Sequence, residues 1–119
     1  MKIHIKKDFG NSGEDIAVQY LEKQGHVILE RNFYCKQGEI DIITKDKNEI
    51  VFIEVKTRAN GNYGLPSEAV DKRKISNITK GIRKYIHIKN LENKFIRLDL
   101  IELFYKNKKF YINHIKQII

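Results

Sequence analysis

The stretch Glu49-Ile50-Val51-Phe52-Ile53-Glu54-Val55-Lys56-Thr57 decides the architecture. Its continuous apolar run, Ile50 to Ile53, suits a strand covered on both faces, whereas a strand with one wet face alternates. The polar turn Lys45-Asp46-Lys47-Asn48 precedes it. Before that turn, Glu39 to Thr44 reads as a second strand, entered through Gln37-Gly38, and His26 to Phe33 as a third. Short polar connections among the three predict an antiparallel meander.

Outward on the N-terminal side, Gly10-Asn11-Ser12-Gly13 opens a helix, with Asn11 or Ser12 as N-cap and Glu14 and Asp15 in the first turn. Ile16, Ala17, Tyr20 and Leu21 recur at helical spacing, and Gly25 is placed as the C-cap. On the C-terminal side, residues 59–66 read as a glycine-containing loop carrying Tyr63. A helix follows from Ser67 or Asp71 to His87. Ile75, Ile78, Ile82, Tyr85 and Ile86 fall on one face, with Arg73, Lys80, Lys84 and His87 opposite. Phe95 to Tyr105 and Lys109 to His114 close the chain as strands. The order α-β-β-β-α-β-β contains a strand-helix-strand crossover, which predicts a fourth strand parallel to the third. The expected fold is a single α/β domain over residues 1–119, a mixed central sheet flanked by helices.

Composition sets the outer bounds. With 41% hydrophobic and 32% charged residues, the chain can build one core and does not read as disordered. Its single cysteine, Cys35, forms no internal disulfide, and no role is assigned to it. Met1 to Lys7 alternate charged and apolar residues without a secretory core, and no run reaches membrane-span length, so the expected location is cytoplasmic, with no membrane partner. The net charge of +8 is uneven: residues 1–70 hold 10 Lys/Arg and 11 Asp/Glu, residues 71–119 hold 13 and 4. A positive C-terminal half beside an acid-bearing N-terminal half suits a polyanionic partner. General lysine richness is the alternative source of that charge.

Two strand runs carry acids where a plain strand excludes them. Asp41 stands among Glu39-Ile40-Asp41-Ile42-Ile43, and Glu54 closes the apolar run of the central strand. A buried carboxylate must be paired, hydrogen-bonded or metal-bound. Alternation puts Glu54 and Lys56 on one face, and a hairpin between the two strands brings Asp41 near Glu54. Mg²⁺ or Mn²⁺ would turn that repulsion into a site, with Lys56 orienting water and offsetting charge at phosphorus. The competing reading is an exposed salt-bridge ladder of Asp41, Glu54 and Lys56. Glu39 shares a face with Asp41 and could help hold the metal, but is read first as a solvated strand-start acid; Tyr63 could stack on a base, but is read first as packing on its own loop; His4, His26, His87 and His114 are read as surface or half-buried residues. Arg58, Arg73, Lys74, Lys80 and Lys84 are the candidate phosphate contacts, mostly on the basic helix.

These same segments carry a family resemblance. Gly13-Glu14-Asp15-Ile16-Ala17, Tyr20-Leu21-Glu22, Arg31-Asn32-Phe33, Gly38-Glu39-Ile40-Asp41-Ile42 and Phe52-Ile53-Glu54-Val55-Lys56-Thr57-Arg58 resemble the bacterial UPF0102 (YraN) family. So do Gly64, Pro66, Glu68 to Lys74, Arg97 to Leu100 and Ile112 to Ile115, which together span nearly the whole chain. That family is similar to restriction-endonuclease-like nucleases and archaeal Holliday-junction resolvases. The resemblance implies a PD-(D/E)xK-type site with Asp41 as first acid, Glu54 and Lys56 as the (D/E)xK element, and Glu14 as a helix-borne third metal ligand. Ile40 stands where the motif's proline would be. The implied activity is a Mg²⁺- or Mn²⁺-dependent nuclease acting on DNA in preference to RNA, on branched or junction structures, and as a homodimer where two cuts are needed. The rival expectations are a structure-selective nucleic-acid-binding module without turnover and a protein-binding scaffold.

Overall fold

The computed structural model describes residues 2–6, 13–59 and 72–119, with side chains from residue 13 onward as far as 58 and from 72. The expected loop with Tyr63, the start of the basic helix and the Asn11 or Ser12 cap lie outside these residues. Six strands form one sheet: β1 (Lys2–Lys6), β2 (Val27–Cys35), β3 (Gly38–Asp46), β4 (Glu49–Ala59), β5 (Phe95–Lys106) and β6 (Lys109–Ile115). Among the described residues two helices, α1 (Gly13–Lys23) and α2 (Lys72–Lys89), flank it. The strand order is β1-β6-β5-β4-β3-β2. β2, β3 and β4 make the expected antiparallel meander, and β4 lies parallel to β5 from Glu49–Phe95 to Ala59–Tyr105. β1 adds an edge strand the sequence reading had not assigned, paired antiparallel to β6.

The central apolar run explains why helices lie on both faces. Val51 and Ile53 of β4 pack in one cluster with Ile16, Ala17, Tyr20 and Leu21 of α1. Ile50 and Phe52 pack in the other with Ile78, Ile82 and Tyr85 of α2. Each fully buried side chain of this size contributes roughly 1.5–3 kcal/mol. Gly25 ends α1 at φ 93°, the left-handed C-cap the sequence predicts. Gly81 lets α2 approach the sheet, since a Cβ there would lie 3.1 Å from Ile40 Cδ1 and 3.2 Å from Cys35 Sγ. Among the described residues, no helix is long and apolar enough to cross a membrane.

A buried polar network ties α1 and the C-terminal residues to the sheet. Asp99, fully buried, accepts hydrogen bonds from Arg97 Nε at 2.8 Å and from the Gln117 amide at 2.9 Å, and pairs with His114 Nε2 at 2.7 Å. His114 Nδ1 meets the Tyr20 hydroxyl at 2.8 Å, while His26 Nδ1 meets Thr44 Oγ1 at 2.7 Å. Burial pushes the Asp99 carboxyl up, but the bonds from His114 and Arg97 outweigh it and hold the group below its usual range. Burial depresses His26, despite the opposing charge of Asp46. The surface or half-buried placement expected of the histidines fails for His26, which is buried, and holds for the half-buried His114. Each finds a partner far away in sequence, which makes burial affordable. His87 is exposed, as expected.

The β5–β6 hairpin closes through Asn107 and Lys108, both at positive φ (52° and 62°), between paired Lys106 and Lys109. Two such residues define a type I′ turn, which favours Asn-Gly. A left-handed conformation costs an L-residue about 1–2 kcal/mol. Lys108→Gly is therefore expected to stabilise the fold by about 0.5–1 kcal/mol, read as a higher urea midpoint at unchanged m. An unchanged or lower midpoint would contradict this turn assignment.

Candidate metal centre

The centre forms where β3 leaves β4. Their pairing runs from Asp46–Glu49 to Ile42–Ile53. One residue further, the Val55 amide donates instead to Asp41 Oδ2 at 2.8 Å. The faces change at the same point. Ile42 packs in the α1 cluster, but both Ile43 and Ile40 pack in the α2 cluster, which strict alternation forbids. On the other side, β2 pairs through Arg31–Ile42 and Phe33–Ile40, leaving Asn32 at φ 53° opposite Asp41. The strand turns its face at Asp41, so Ile40 to Thr44 are all buried where a plain strand would alternate.

α1 delivers the next acid. A Cβ on Gly13 would lie 2.5 Å from Thr57 Oγ1 and 3.1 Å from Leu103 Cδ1, so glycine lets the first helical turn press against β4. Glu14 then reaches Asp41 and Glu39. One carboxylate oxygen from each of the three lies within 4.8 Å of the others. That span is close to the roughly 4.2 Å separating opposite ligands of one Mg²⁺ ion. Arg31 pairs with Asp15 at 2.7 Å beside the cluster.

The electrostatics show a cluster short of positive charge. Burial and then the neighbouring Glu54 charge push the Asp41 carboxyl up to about 8, against the Val55 hydrogen bond that favours its ionised form. Contact with Glu39 and the charge of Glu14 push the same way. Glu14 is also raised, by burial and the Glu39 charge, although Arg31 and a hydrogen bond with Asn32 oppose this. A hard divalent cation would relieve such repulsion, and an all-carboxylate donor set fits Mg²⁺ or Mn²⁺.

Glu54, 6% exposed, lies near enough for its charge to act on Asp41, but its own ion pair is with Lys74 Nζ of α2 at 3.0 Å. The exposed-ladder alternative fails here: Asp41 and Glu54 are buried, and the cation on Glu54 comes from α2. Lys56 is exposed, in register with Glu102 of β5, and alternation keeps it on the Glu54 face. Of the candidate phosphate contacts, Arg73, Lys80 and Lys84 are exposed on α2. Arg58 is largely covered in a 2.9 Å pair with Glu102, which occupies its Nε. Lys74 is held at Glu54.

Two members of the centre escaped the sequence reading in their present roles. Glu39, read as a solvated acid, stands in the carboxylate cluster, with a hydrogen bond linking it to the Tyr34 hydroxyl. Lys74, read as a phosphate contact, meets an acid of the centre. Spacing two residues before Asp41 was the available signal for Glu39. For Lys74 no local signal exists, because its partner is on another element.

A mixed α/β sheet with a carboxylate cluster at the parting of two strands is thus the class of protein at hand. The model of the Uncharacterised protein family UPF0102 matches residues 13–103. The chain belongs to that family. It is 48% identical over all its 119 residues to a UPF0102 protein of Caldanaerobacter subterraneus subsp. tengcongensis, covering 98% of that relative. UPF0102 proteins of Clostridium botulinum strains Hall and 657 are 56% and 55% identical over 101 residues, 84% of this chain and 82% of each relative.

The raised Asp41 carboxyl predicts a pH effect with a definite sign. The folded state holds that proton more tightly than the unfolded chain, whose carboxyl titrates near 3.8. Stability from this group is therefore full below that value and lost as pH rises through about 8. In the metal-free protein, the calorimetric midpoint should fall across that window, and Asp41→Asn should flatten the fall. Mg²⁺ or Mn²⁺ should raise the midpoint of wild type more at the alkaline end, since protons compete for the same oxygens. Equal metal effects at both ends, or in Asp41→Asn, would sink the assignment.

Proposed function

We propose that this protein is a divalent-metal-dependent nuclease that hydrolyses phosphodiester bonds of DNA, including branched or junction DNA. The observation that carries the reading is the cluster of Glu14, Glu39 and Asp41 beside buried Glu54, with the exposed cations of α2 nearby. In this reading Glu14, Asp41 and Glu54 are the metal-holding acids the family resemblance implies, and Glu39 joins them on geometry. A bound Mg²⁺ or Mn²⁺ would polarise the phosphate and lower the pKa of a coordinated water.

The chain's own groups supply the rest. Lys56, on the Glu54 face, orients the attacking water and offsets charge growing on the phosphate oxygens. The water oxygen bonds to phosphorus, the bond to the leaving sugar oxygen breaks, the water gives up a proton to solvent, and the leaving oxygen takes one from solvent to become the free hydroxyl. Lys74 fixes the Glu54 carboxylate, so it is a positioning residue. Arg73, Lys80 and Lys84 bind the backbone of the strand without reading its sequence.

The test is cleavage of a labelled four-way DNA junction, a flap and a linear duplex in Mg²⁺ and in Mn²⁺. Wild type should cut with metal and stop with EDTA. Glu54→Ala and Lys56→Ala should each lower the rate at least about a hundredfold while the melting temperature stays measurable. Lys80→Ala with Lys84→Ala should weaken binding to all sequences and lower the salt slope by about one for each lost phosphate contact. Tight, salt-sensitive binding with no cutting under any metal would favour the binding module instead. Neither binding nor cutting would refute both.

A further inference from the structure

A cleft of about 230 Å³ opens between the β2–β3 turn and the first half of α2. Its inner wall is apolar, made by Ile40, Ile78 and Cys35. Gly81 keeps that wall close to the helix, because a Cβ there would press on Ile40 and Cys35. The amides of Gln37 and Asn77 also line the cleft, each able to donate and accept a hydrogen bond. Glu39 and Lys74 line it as well. Those two residues tie the cleft to the metal centre, Glu39 through the carboxylate cluster and Lys74 through its 3.0 Å contact with Glu54.

An apolar lining, adaptable amides and the adjoining carboxylate cluster, where the proposed reading puts a phosphate, match the parts of one nucleotide. A nucleobase has apolar faces and a polar edge, and is joined through its sugar to a phosphate. A base within a duplex keeps its faces stacked and its edge paired, so it has nothing to offer a cleft. An unpaired base offers both. We infer that the cleft between the β2–β3 turn and α2 takes an unpaired nucleobase of DNA whose neighbouring phosphate lies at the carboxylate cluster, making the protein selective for locally unpaired strands. This rests on the proposed nuclease reading for the placement of the phosphate. The base contact itself requires no turnover.

The experiment uses duplex DNA carrying one unpaired 2-aminopurine and the same duplex fully paired, with Ca²⁺ present so that binding can be followed apart from cutting. The unpaired probe should bind about tenfold tighter than the paired one, the scale of a single base contact. Its fluorescence should rise as the base leaves the stack. Asn77→Trp, which fills the cleft, should bring the ratio of the two affinities towards one. Gln37→Ala, at an exposed position with little bearing on folding, should lower the same ratio severalfold. The inference is overturned if the unpaired probe gains neither affinity nor fluorescence. It is equally overturned if a cooperatively folded Asn77→Trp and Gln37→Ala both keep the wild-type ratio. Cleavage of the same duplexes in Mg²⁺ separates the two readings. A base contact without cutting supports the cleft and removes the nuclease, and cutting with an unaltered ratio in both variants keeps the nuclease and removes the cleft.

Discussion

The hydrogen bond from the Val55 amide to the Asp41 carboxylate is the constraint on which the rest of the centre depends. If β3 and β4 continued to pair beyond Ile42–Ile53, that amide would be spent on a backbone carbonyl and the strands would stay closed. By offering a side-chain oxygen instead, Asp41 satisfies the amide and lets β3 turn away. A buried amide with no partner would cost about 1–3 kcal/mol, so the strands separate only because the acid is there. The same carboxylate is then asked to serve a structural bond and a crowded acidic cluster at once. The structural bond favours its charged form, while burial and Glu54 favour the neutral one, and burial prevails. On the proposed reading, such a group would exchange its proton for a metal ion.

Two polar groups divide the work. Around Arg97, Asp99 and His114 the charges are bonded to one another, and among the described residues no buried side-chain nitrogen or oxygen lacks a partner. That network is electrostatically closed. Around Asp41 the acids crowd one another, with Lys74 on Glu54 and Arg31 acting on Glu14. A folded chain tolerates this imbalance because α1 and α2 are anchored through their apolar faces and through Tyr20 and His114. Rigid packing around the cluster is what allows its repulsion to be held in place.

Most of the fold was legible because it rests on periodicity. The covered central strand, the antiparallel meander and the apolar faces of both helices are local patterns, and the parallel β4–β5 pair follows from the strand-helix-strand order. β1 was missed because Lys2-Ile3-His4-Ile5-Lys6 is short and its strand status depends on β6, more than a hundred residues later. Of the centre, Asp41 and Glu54 stood out because an acid inside an apolar strand needs a partner. Glu39 stood on the Asp41 face by the same alternation but was set aside, since an acid at the start of a strand is ordinarily solvated. The burial of His26 and the bonds of His114 depend on partners brought by tertiary structure, Tyr20 being 94 positions from His114.

The arrangement of charge separates a metal-using protein from a mere binder of polyanions. A surface built only to hold DNA gains by removing carboxylates from the contact, because each one repels phosphate. Here Glu14, Glu39, Asp41 and Glu54 gather where β3 leaves β4, and α2 adds exposed Arg73, Lys80 and Lys84. Acids and cations so placed would oppose each other's hold on a phosphate. On the proposed reading a divalent ion would reverse the sign of the acids' contribution, and both sets of groups would then draw the same strand. The cost of keeping Asp41 raised towards 8 is understandable on those terms, since a bound cation would relieve the repulsion behind it.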